Sequence, residues 1–310
     1  MDHVSIRVST LRGDQKINFD AYVKINDKYV LYLRRGDSFE GQRLKRLKEK
    51  KLKKMFILSG DESNYRQYLK TNIESAYDST SSKNMESRAE IIQGEQQSNV
   101  EEVFEKPEDK AAYNETKDAA GKYVDFLMKN TQAATAVLNI ENSDKNLAHH
   151  GVSVATFAIS LAQKLKMTEN KSTQILTLGA LLHDIGHHDT TINIAQPLKA
   201  LSPQDLALYK EHPLKGAERV KDKNHFDQQV ITIINEHEEL LDGTGFPKGK
   251  KENQLDPLSI IVASCNAVDR LITFEGIAKN EAPKKLMIER VGMHPLNHIQ
   301  LLSEVLKTLK

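Results

Sequence analysis

"STQILTLGALLHDIG" (residues 172–186) is the segment on which the predicted fold depends. Its apolar residues recur at helical spacing, a serine that can cap a helix begins it, and a glycine ends it. His183 and Asp184 stand near its C-terminal end. Because an unpaired carboxylate on a buried helix is costly, we expect Asp184 to have partners from other segments.

Helical spacing continues through nearly every segment from about residue 109 onward. "GVSVATFAISLAQKLK" has a broad apolar face, and Val230, Ile233, Ile234 and His237 share one face of "DQQVITIINEHEELL". "PLSIIVASCNAVDRLIT" opens with a proline, which is common in the first helical turn. The sequence therefore predicts an all-α bundle over residues 109–310.

The first part of the chain has a different pattern. "VSIRVS", "FDAYVKI" and "KYVLYLR" are rich in β-branched and aromatic residues, and an Asn-Asp turn joins the latter two. "FEGQRLKRLKEKKLKKMFIL" predicts a basic helix that leads into another strand. We predict a small mixed α/β domain over residues 1–78, then a polar linker with some helix over residues 79–108. The predicted fold class is α+β.

Composition limits the function classes. The 310 residues carry 44 basic and 43 acidic side chains, so no strong net field attracts a nucleic-acid polymer or a membrane. The sole cysteine, Cys265, excludes an internal disulfide framework and a thiolate zinc cluster. No apolar run reaches the roughly 18–20 residues of a bilayer span, and the N-terminus lacks a signal-peptide pattern. We predict a cytoplasmic protein.

Potential metal ligands occur at or near the ends of the predicted helices. They are His150, the pair His183–Asp184, His212 and His237, and about thirty residues separate successive sets. Each set can therefore come from a different helix, and facing helices of a bundle commonly hold metals. Imidazole and carboxylate without thiolate favour iron, manganese, zinc or nickel. The adjacent His-Asp pair would let the carboxylate bridge two metals while the imidazole binds one.

Structural roles also explain each histidine taken singly. His237 can be a hydrogen-bonded core residue, His150 with the preceding His149 can cap a helix, and His212 can end one before a proline. Taken together, these roles leave Asp184 without a partner in an apolar environment. Spacing alone leaves both interpretations open.

Several motifs resemble, in order, those of one known family. "HHGVSVATFAISLAQKL", "LLHDIGH", "EHPLKGAERV" and "HEELLDGTGFPKG" are similar to segments of the HD-GYP branch of the HD-superfamily phosphohydrolases, through about residues 145–273. Residues 1–78 also resemble the small domain that often precedes HD-GYP modules. The resemblance implies an all-α domain with two or three metals, often iron or manganese, that hydrolyses cyclic di-GMP.

The resemblance also implies roles for individual residues. Metal ligands are expected at His150, His183, Asp184, His212 and His237, with Asp184 as the bridge and the His183–Asp184 pair at the catalytic centre. Two metals make water nucleophilic at neutral pH and neutralise charge on phosphoryl oxygens, as phosphodiester hydrolysis requires. A loop beside the site is expected at Asp242, Gly243, Gly245 and Pro247.

The sequence departs from the family pattern at the metal ligands. Glu238 replaces a second histidine, and since a carboxylate also binds iron or manganese, Glu238 is a further candidate ligand. Asn146 and Asn266 replace acidic residues, which predicts two metals rather than three.

Other departures concern the nucleotide. His187, which is shorter than the expected phosphate-binding lysine and only partly charged at neutral pH, replaces that residue. Phe246 replaces the tyrosine that gives the motif its name, and Ser153 replaces an arginine. We predict substrate-binding positions at His187, Phe246 and Asn266, with a weakened grip on the nucleotide.

Three functions follow as hypotheses. The first is a divergent cyclic di-GMP phosphodiesterase with a binuclear centre of iron or manganese. The second is a catalytically impaired protein that acts as a receptor. It would bind cyclic di-GMP, or it would bind another signalling protein through the Gly-Phe-Pro loop. The third is an HD-type hydrolase acting on another nucleotide.

Overall fold

The computed structural model describes residues 2–142, 144–167 and 169–308, apart from the side chain of Lys48. The chain divides into two compact units, Met1–Ser98 and Asn99–Lys310. The predicted combination of a small mixed unit and a helical unit, class α+β, is confirmed. Within the described residues, no helix combines the length and apolar character needed to cross a membrane.

A four-stranded antiparallel sheet forms the centre of the first unit. Its spatial order is β1-β4-β2-β3, and its strands are β1 (His3–Arg7), β2 (Ala21–Ile25), β3 (Lys28–Leu33) and β4 (Lys54–Leu58). Strand β1 pairs with β4, and β2 pairs with β3 through the predicted Asn-Asp turn. Asn26 and Asp27 have φ angles of 46° and 61°, as two-residue hairpin turns require.

The apolar core of this unit lies between the sheet and its helices. Phe19, Phe39 and Met55 are fully buried in it. The helices of this part of the chain are α1 (Gln42–Glu49), α2 (Glu62–Tyr77) and α3 (Met85–Glu105). Helix α3 contains the division between the units and covers most of residues 79–108, which we predicted to be a linker with some helix. The predicted bounds 1–78, 79–108 and 109–310 remain predictions.

The second unit is a bundle built around two apolar helices. Helices α6 and α7 pack against each other, α6 also contacts α11, and α10 contacts α7 and α9. Asp256 caps α11, whose first residue is the predicted proline. The helices are α4 (Lys110–Lys129), α5 (Ala133–Leu138), α6 (Leu147–Lys164), α7 (Asn170–Leu182), α8 (Pro203–Lys210), α9 (His212–Val220), α10 (Gln228–Glu236), α11 (Pro257–Thr273), α12 (Ala282–Glu289) and α13 (Leu296–Lys307).

Two details of the predicted α7 are wrong. The helix begins at Asn170 rather than at a Ser172 cap, because the Ser172 hydroxyl donates to the Glu169 side chain instead of capping. It also ends at Leu182 rather than at the glycine. His183 and Asp184 follow the helix, and a short 3-10 turn over Ile185–His187 comes next. The pair is therefore presented from a turn, where both side chains can reach the same centre.

Close packing of α6 on α7 yields a testable prediction. A Cβ added at Gly151 of α6 would lie 2.7 Å from the Leu181 carbonyl oxygen of α7, so Gly151→Ala must separate the helices. We expect a loss of about 1–3 kcal/mol in the free energy of unfolding, measured by chemical denaturation followed by circular dichroism. Gly121→Ala in α4 is the matched control, since its Cβ meets only the flexible end of Gln174. Equal stability of the two variants would contradict the packing.

Candidate metal centre

The Asp184 carboxylate lies at the centre of a buried histidine cluster. Its Oδ1 is 3.3 Å from His212 Nε2 and 3.6 Å from His237 Nε2. Its Oδ2 is 3.5 Å from His183 Nε2 and 3.8 Å from His150 Nε2. The two carboxylate oxygens thus face two different histidine pairs, as a carboxylate between two cations would require.

Backbone carbonyls fix the orientation of three of these rings. The Nδ1–H groups of His183, His212 and His237 each donate to the carbonyl three residues earlier in the chain, at 2.7, 2.7 and 2.8 Å. An acceptor at Nδ1 places the proton there and leaves the Nε2 lone pair of a neutral ring available. Metal-binding histidines are commonly oriented in this way.

The Nε2 atoms of these three rings converge on the Asp184 carboxylate. His212 Nε2 and His237 Nε2 are 2.8 Å apart. His183 Nε2, His187 Nε2 and Asp184 Oδ2 are buried and have no hydrogen-bond partner among the described residues. Unsatisfied buried acceptors are costly, and a cation would satisfy them. The donor set therefore fits divalent metal ions.

Three overlapping groups of ligand atoms could each hold an ion. Within each group, one ligand atom per residue lies within 4.8 Å of the others. The groups are His150–His183–Asp184, Asp184–His187–His212 and His212–His237–Glu238. The structure thus brings all the predicted metal ligands together and adds His187 to them.

The local fold explains how distant segments meet. His150 lies on α6, His183 and Asp184 follow α7, His212 begins α9, and His237 directly follows α10. Gly186 allows the turn after Asp184 to approach α9, since a Cβ there would lie 1.9 Å from the His212 carbonyl oxygen. Any larger residue at that position would require the turn and α9 to move apart.

His150 is held by α11. Its Nδ1 lies 2.6 Å from Asp269 Oδ2, and its Nε2 lies 3.1 Å from Asn266 Oδ1. The Asn266 amide nitrogen donates to Glu238 Oε1 at 3.2 Å. Asn266, which we predicted to bind substrate, therefore links two candidate metal ligands through its amide.

Glu238 has partners of its own beside the cluster. Its Oε1 accepts from the Tyr209 hydroxyl at 2.7 Å as well as from Asn266. Burial would raise the pKa of Glu238, but the neighbouring His237, His212 and Arg270 lower it, so the carboxylate is ionised. An ionised Glu238 beside His212 and His237 is consistent with its predicted role as a ligand.

His187 differs from our expectation of a partly charged ring. Burial lowers its pKa well below the usual value, and the nearby His212 lowers it further. Its ring stacks on that of His212 with centroids 3.8 Å apart. His187 is therefore neutral at pH 7 and cannot replace the charge of a phosphate-binding lysine.

The loop that contains Asp242, Gly243, Gly245 and Pro247 folds back on the end of α10. Glu239 accepts from the backbone N–H groups of Lys248 and Lys250, at 2.7 and 2.9 Å. Glu236 accepts from Lys250 Nζ at 2.5 Å. The ring of Phe246 lies 6.2 Å from that of His212. The carboxylates around His237 thus have separate tasks, since Glu238 faces the cluster whereas Glu236 and Glu239 hold the loop.

Sequence reasoning did not identify Tyr209 and Arg270. Tyr209 donates to Glu238, and its ring is tilted against that of His187 with centroids 5.2 Å apart. Arg270 is buried, and its guanidinium carbon lies 5.0 Å from the Tyr209 ring centroid. Each lies about one helical turn from a predicted site residue, Tyr209 before His212 and Arg270 after Asn266, and this spacing is the signal that could have found them.

Acid should destabilise the metal-free protein before most carboxylates titrate. Burial lowers the pKa of His183 to about 3 and that of His294 to about 4, so both stay uncharged in the fold. In the unfolded chain both histidines take up a proton near pH 6.5. The free energy of unfolding therefore decreases as the pH falls below that value. The slope is at most about 1.4 kcal/mol per pH unit for each histidine.

Urea unfolding of metal-free protein at pH 7 and pH 5 measures this effect. His294→Gln should show a smaller loss than the natural chain, because one of the buried neutral histidines is absent. Identical free energies of unfolding at the two pH values would contradict the assignment of neutral buried rings.

Comparisons with known proteins agree with the motifs. The HD-domain family model matches residues 125–286. The solved structure of Bd1817, a HDG"Y"P protein from Bdellovibrio bacteriovorus, is 65% identical, covers 99% of this chain and 100% of its own, and has a TM-score of 0.95.

Two curated relatives match over shorter regions. A cyclic di-GMP phosphodiesterase of Pseudomonas aeruginosa is 27% identical over 145 residues, 47% of this chain and 35% of the relative. A cyclic di-GMP phosphodiesterase of Thermotoga maritima is 28% identical over 155 residues, which are 49% of this chain and 41% of the relative. The chain thus spans less than half the length of these relatives. It belongs to the HD-domain family, and within that family it is an HD-GYP protein.

Proposed function

We propose that this chain is a metal-dependent phosphodiesterase that hydrolyses cyclic di-GMP with two divalent ions. The observation that carries the proposal is the position of Asp184, whose two oxygens face separate pairs of histidines. His150 and His183 would hold one ion with Asp184 Oδ2, and His212 and His237 would hold the other with Asp184 Oδ1. Glu238 would complete the second site.

Nitrogen and oxygen donors without thiolate favour iron or manganese as the bound metals. Bound divalent ions would make water nucleophilic at neutral pH and neutralise charge on the phosphoryl oxygens. The protein would contribute orientation, because the carbonyl-bound rings of His183, His212 and His237 cannot turn without breaking hydrogen bonds.

The substrate proposal rests on the relatives. Those reported above are named cyclic di-GMP phosphodiesterases, and this chain matches them across the region that contains the cluster. A cyclic dinucleotide presents anionic phosphodiesters, which suit a centre of cations.

A second candidate function is that of a receptor. It would bind cyclic di-GMP without turnover, or it would bind a signalling protein through the loop around Phe246. One observation favours it. Phe246 faces the cluster with a ring that carries no hydroxyl, so the polar contact of a tyrosine at that position is absent.

Turnover and metal content measured in one sample test the first proposal. Protein purified without oxygen and loaded with iron or manganese should cleave cyclic di-GMP and contain two metals per chain. Asp184→Ala should lose product formation and the paired metals, because its carboxylate would contact both ions. The exposed Asp222 supplies the matched control, and Asp222→Ala should behave as the natural chain does.

Other results separate the candidates. Two metals per chain with tight cyclic di-GMP binding and no product would favour the receptor. Two metals remaining in Asp184→Ala would contradict the bridging role of that carboxylate.

A further inference from the structure

Arg270 occupies an unusual position beside the candidate metal centre. It lies on α11 one helical turn after Asn266, and only 7% of it is exposed. Its guanidinium carbon is 5.0 Å from the Tyr209 ring centroid and 4.9 Å from that of Phe274. These contacts lie within the range of cation–π interactions, so both aromatic rings help to hold the guanidinium in place.

The guanidinium has no hydrogen-bonding partner in the described part of the chain. Arg270 forms neither a hydrogen bond nor an ion pair there, although it has five N–H donors. Burial would lower its pKa, but Tyr209, Glu238 and Asp184 raise it above the usual value, so the charge is retained. The Arg270 nitrogens are absent from the fully buried, unsatisfied polar atoms of the described residues, so a ligand can reach these unused donors.

A role as a simple counter-ion does not account for this arrangement. Glu238 accepts from Tyr209 and Asn266, and the Asp184 oxygens face the histidines, so neither carboxylate pairs with Arg270. Two divalent ions together with Arg270 would also exceed the negative charge of Asp184, Glu238 and Asp269. The unused donors and the excess positive charge both indicate that an anion binds here.

Ring contacts connect Arg270 to the metal ligands. Tyr209 contacts both Arg270 and His187, and the His187 ring stacks on that of His212. An anion that reaches the donors of Arg270 therefore lies beside the same ligand rings.

We propose that Arg270 binds the phosphoryl oxygens of the ligand at the metal centre. Its planar guanidinium can donate two parallel hydrogen bonds to one phosphoryl group, which an ammonium group cannot do. This inference rests on the proposed phosphodiesterase function and names a specificity-determining residue for it.

Inorganic phosphate is the probe, and its affinity for metal-loaded protein is measured by calorimetry without any turnover. Arg270→Met keeps an unbranched chain between Tyr209 and Phe274 but removes the charge. We expect this variant to keep its metal content and melting temperature and to lose about tenfold or more in phosphate affinity. Arg270→Lys should recover only part of that affinity, because an ammonium group cannot reproduce the paired donors.

Arg219→Met is the matched control. Arg219 lines the neighbouring cleft with His187 and His212, but its donors already bind Asp189 at 2.6 Å and the Phe104 carbonyl at 3.0 Å. Phosphate affinity should be unchanged in this variant. A loss of affinity in Arg219→Met but not in Arg270→Met would overturn the proposal, and so would loss of metal from Arg270→Met, since Arg270 would then only support the centre.

Failure of this inference can be distinguished from failure of the proposed function. If the natural chain and Arg270→Met bind phosphate equally while the natural chain cleaves cyclic di-GMP, the function stands and the role of Arg270 is wrong. If phosphate binding depends on Arg270 but no cyclic di-GMP is cleaved, the role stands and the proposed function is wrong.

Discussion

The placement of one buried carboxylate determines much of the second unit. Asp184 is surrounded by ring nitrogens of His150, His183, His212 and His237, all within 3.8 Å of one of its oxygens. A carboxylate removed from water in this way is costly unless its charge is compensated. The helices that supply these rings must therefore meet at one point, and the close packing at Gly151 and Gly186 lets them do so.

Neutral rings distinguish this cluster from an ordinary network of buried ion pairs. Burial keeps His183 and His187 uncharged, and backbone carbonyls fix which ring nitrogens carry protons. The Nε2 atoms of His183 and His187 have no hydrogen-bond partner among the described residues, so the cluster suits metal ions better than internal salt bridges. Around it, Tyr209 and Asn266 hold Glu238, while Arg270 brings a cation with unused donors.

The elements and the ligand types could be predicted from the sequence, since both depend on local patterns. The Asn-Asp hairpin and the proline-initiated α11 follow from turn and cap chemistry, and the spacing of His150, His183, His212 and His237 suggested four contributing segments. The end of α7 could not be predicted, because the His183 ring takes the Ala180 carbonyl at that point.

Residues whose environment depends on tertiary packing were also beyond local patterns. Burial of His187 depends on its stacking against His212, a residue from another helix. Tyr209 and Arg270 contact each other across α8 and α11, and their spacing of one helical turn from a predicted site residue does not by itself reveal that contact.

The central claim is that Asp184 holds two metals, one at each of its oxygens. Anomalous diffraction from crystals of manganese- or iron-loaded protein, recorded at the absorption edge of the metal, tests it most directly. We expect two anomalous peaks, one between Asp184 and the His150–His183 pair and one between Asp184 and the His212–His237 pair. A single peak, or peaks that do not contact Asp184, would contradict the claim.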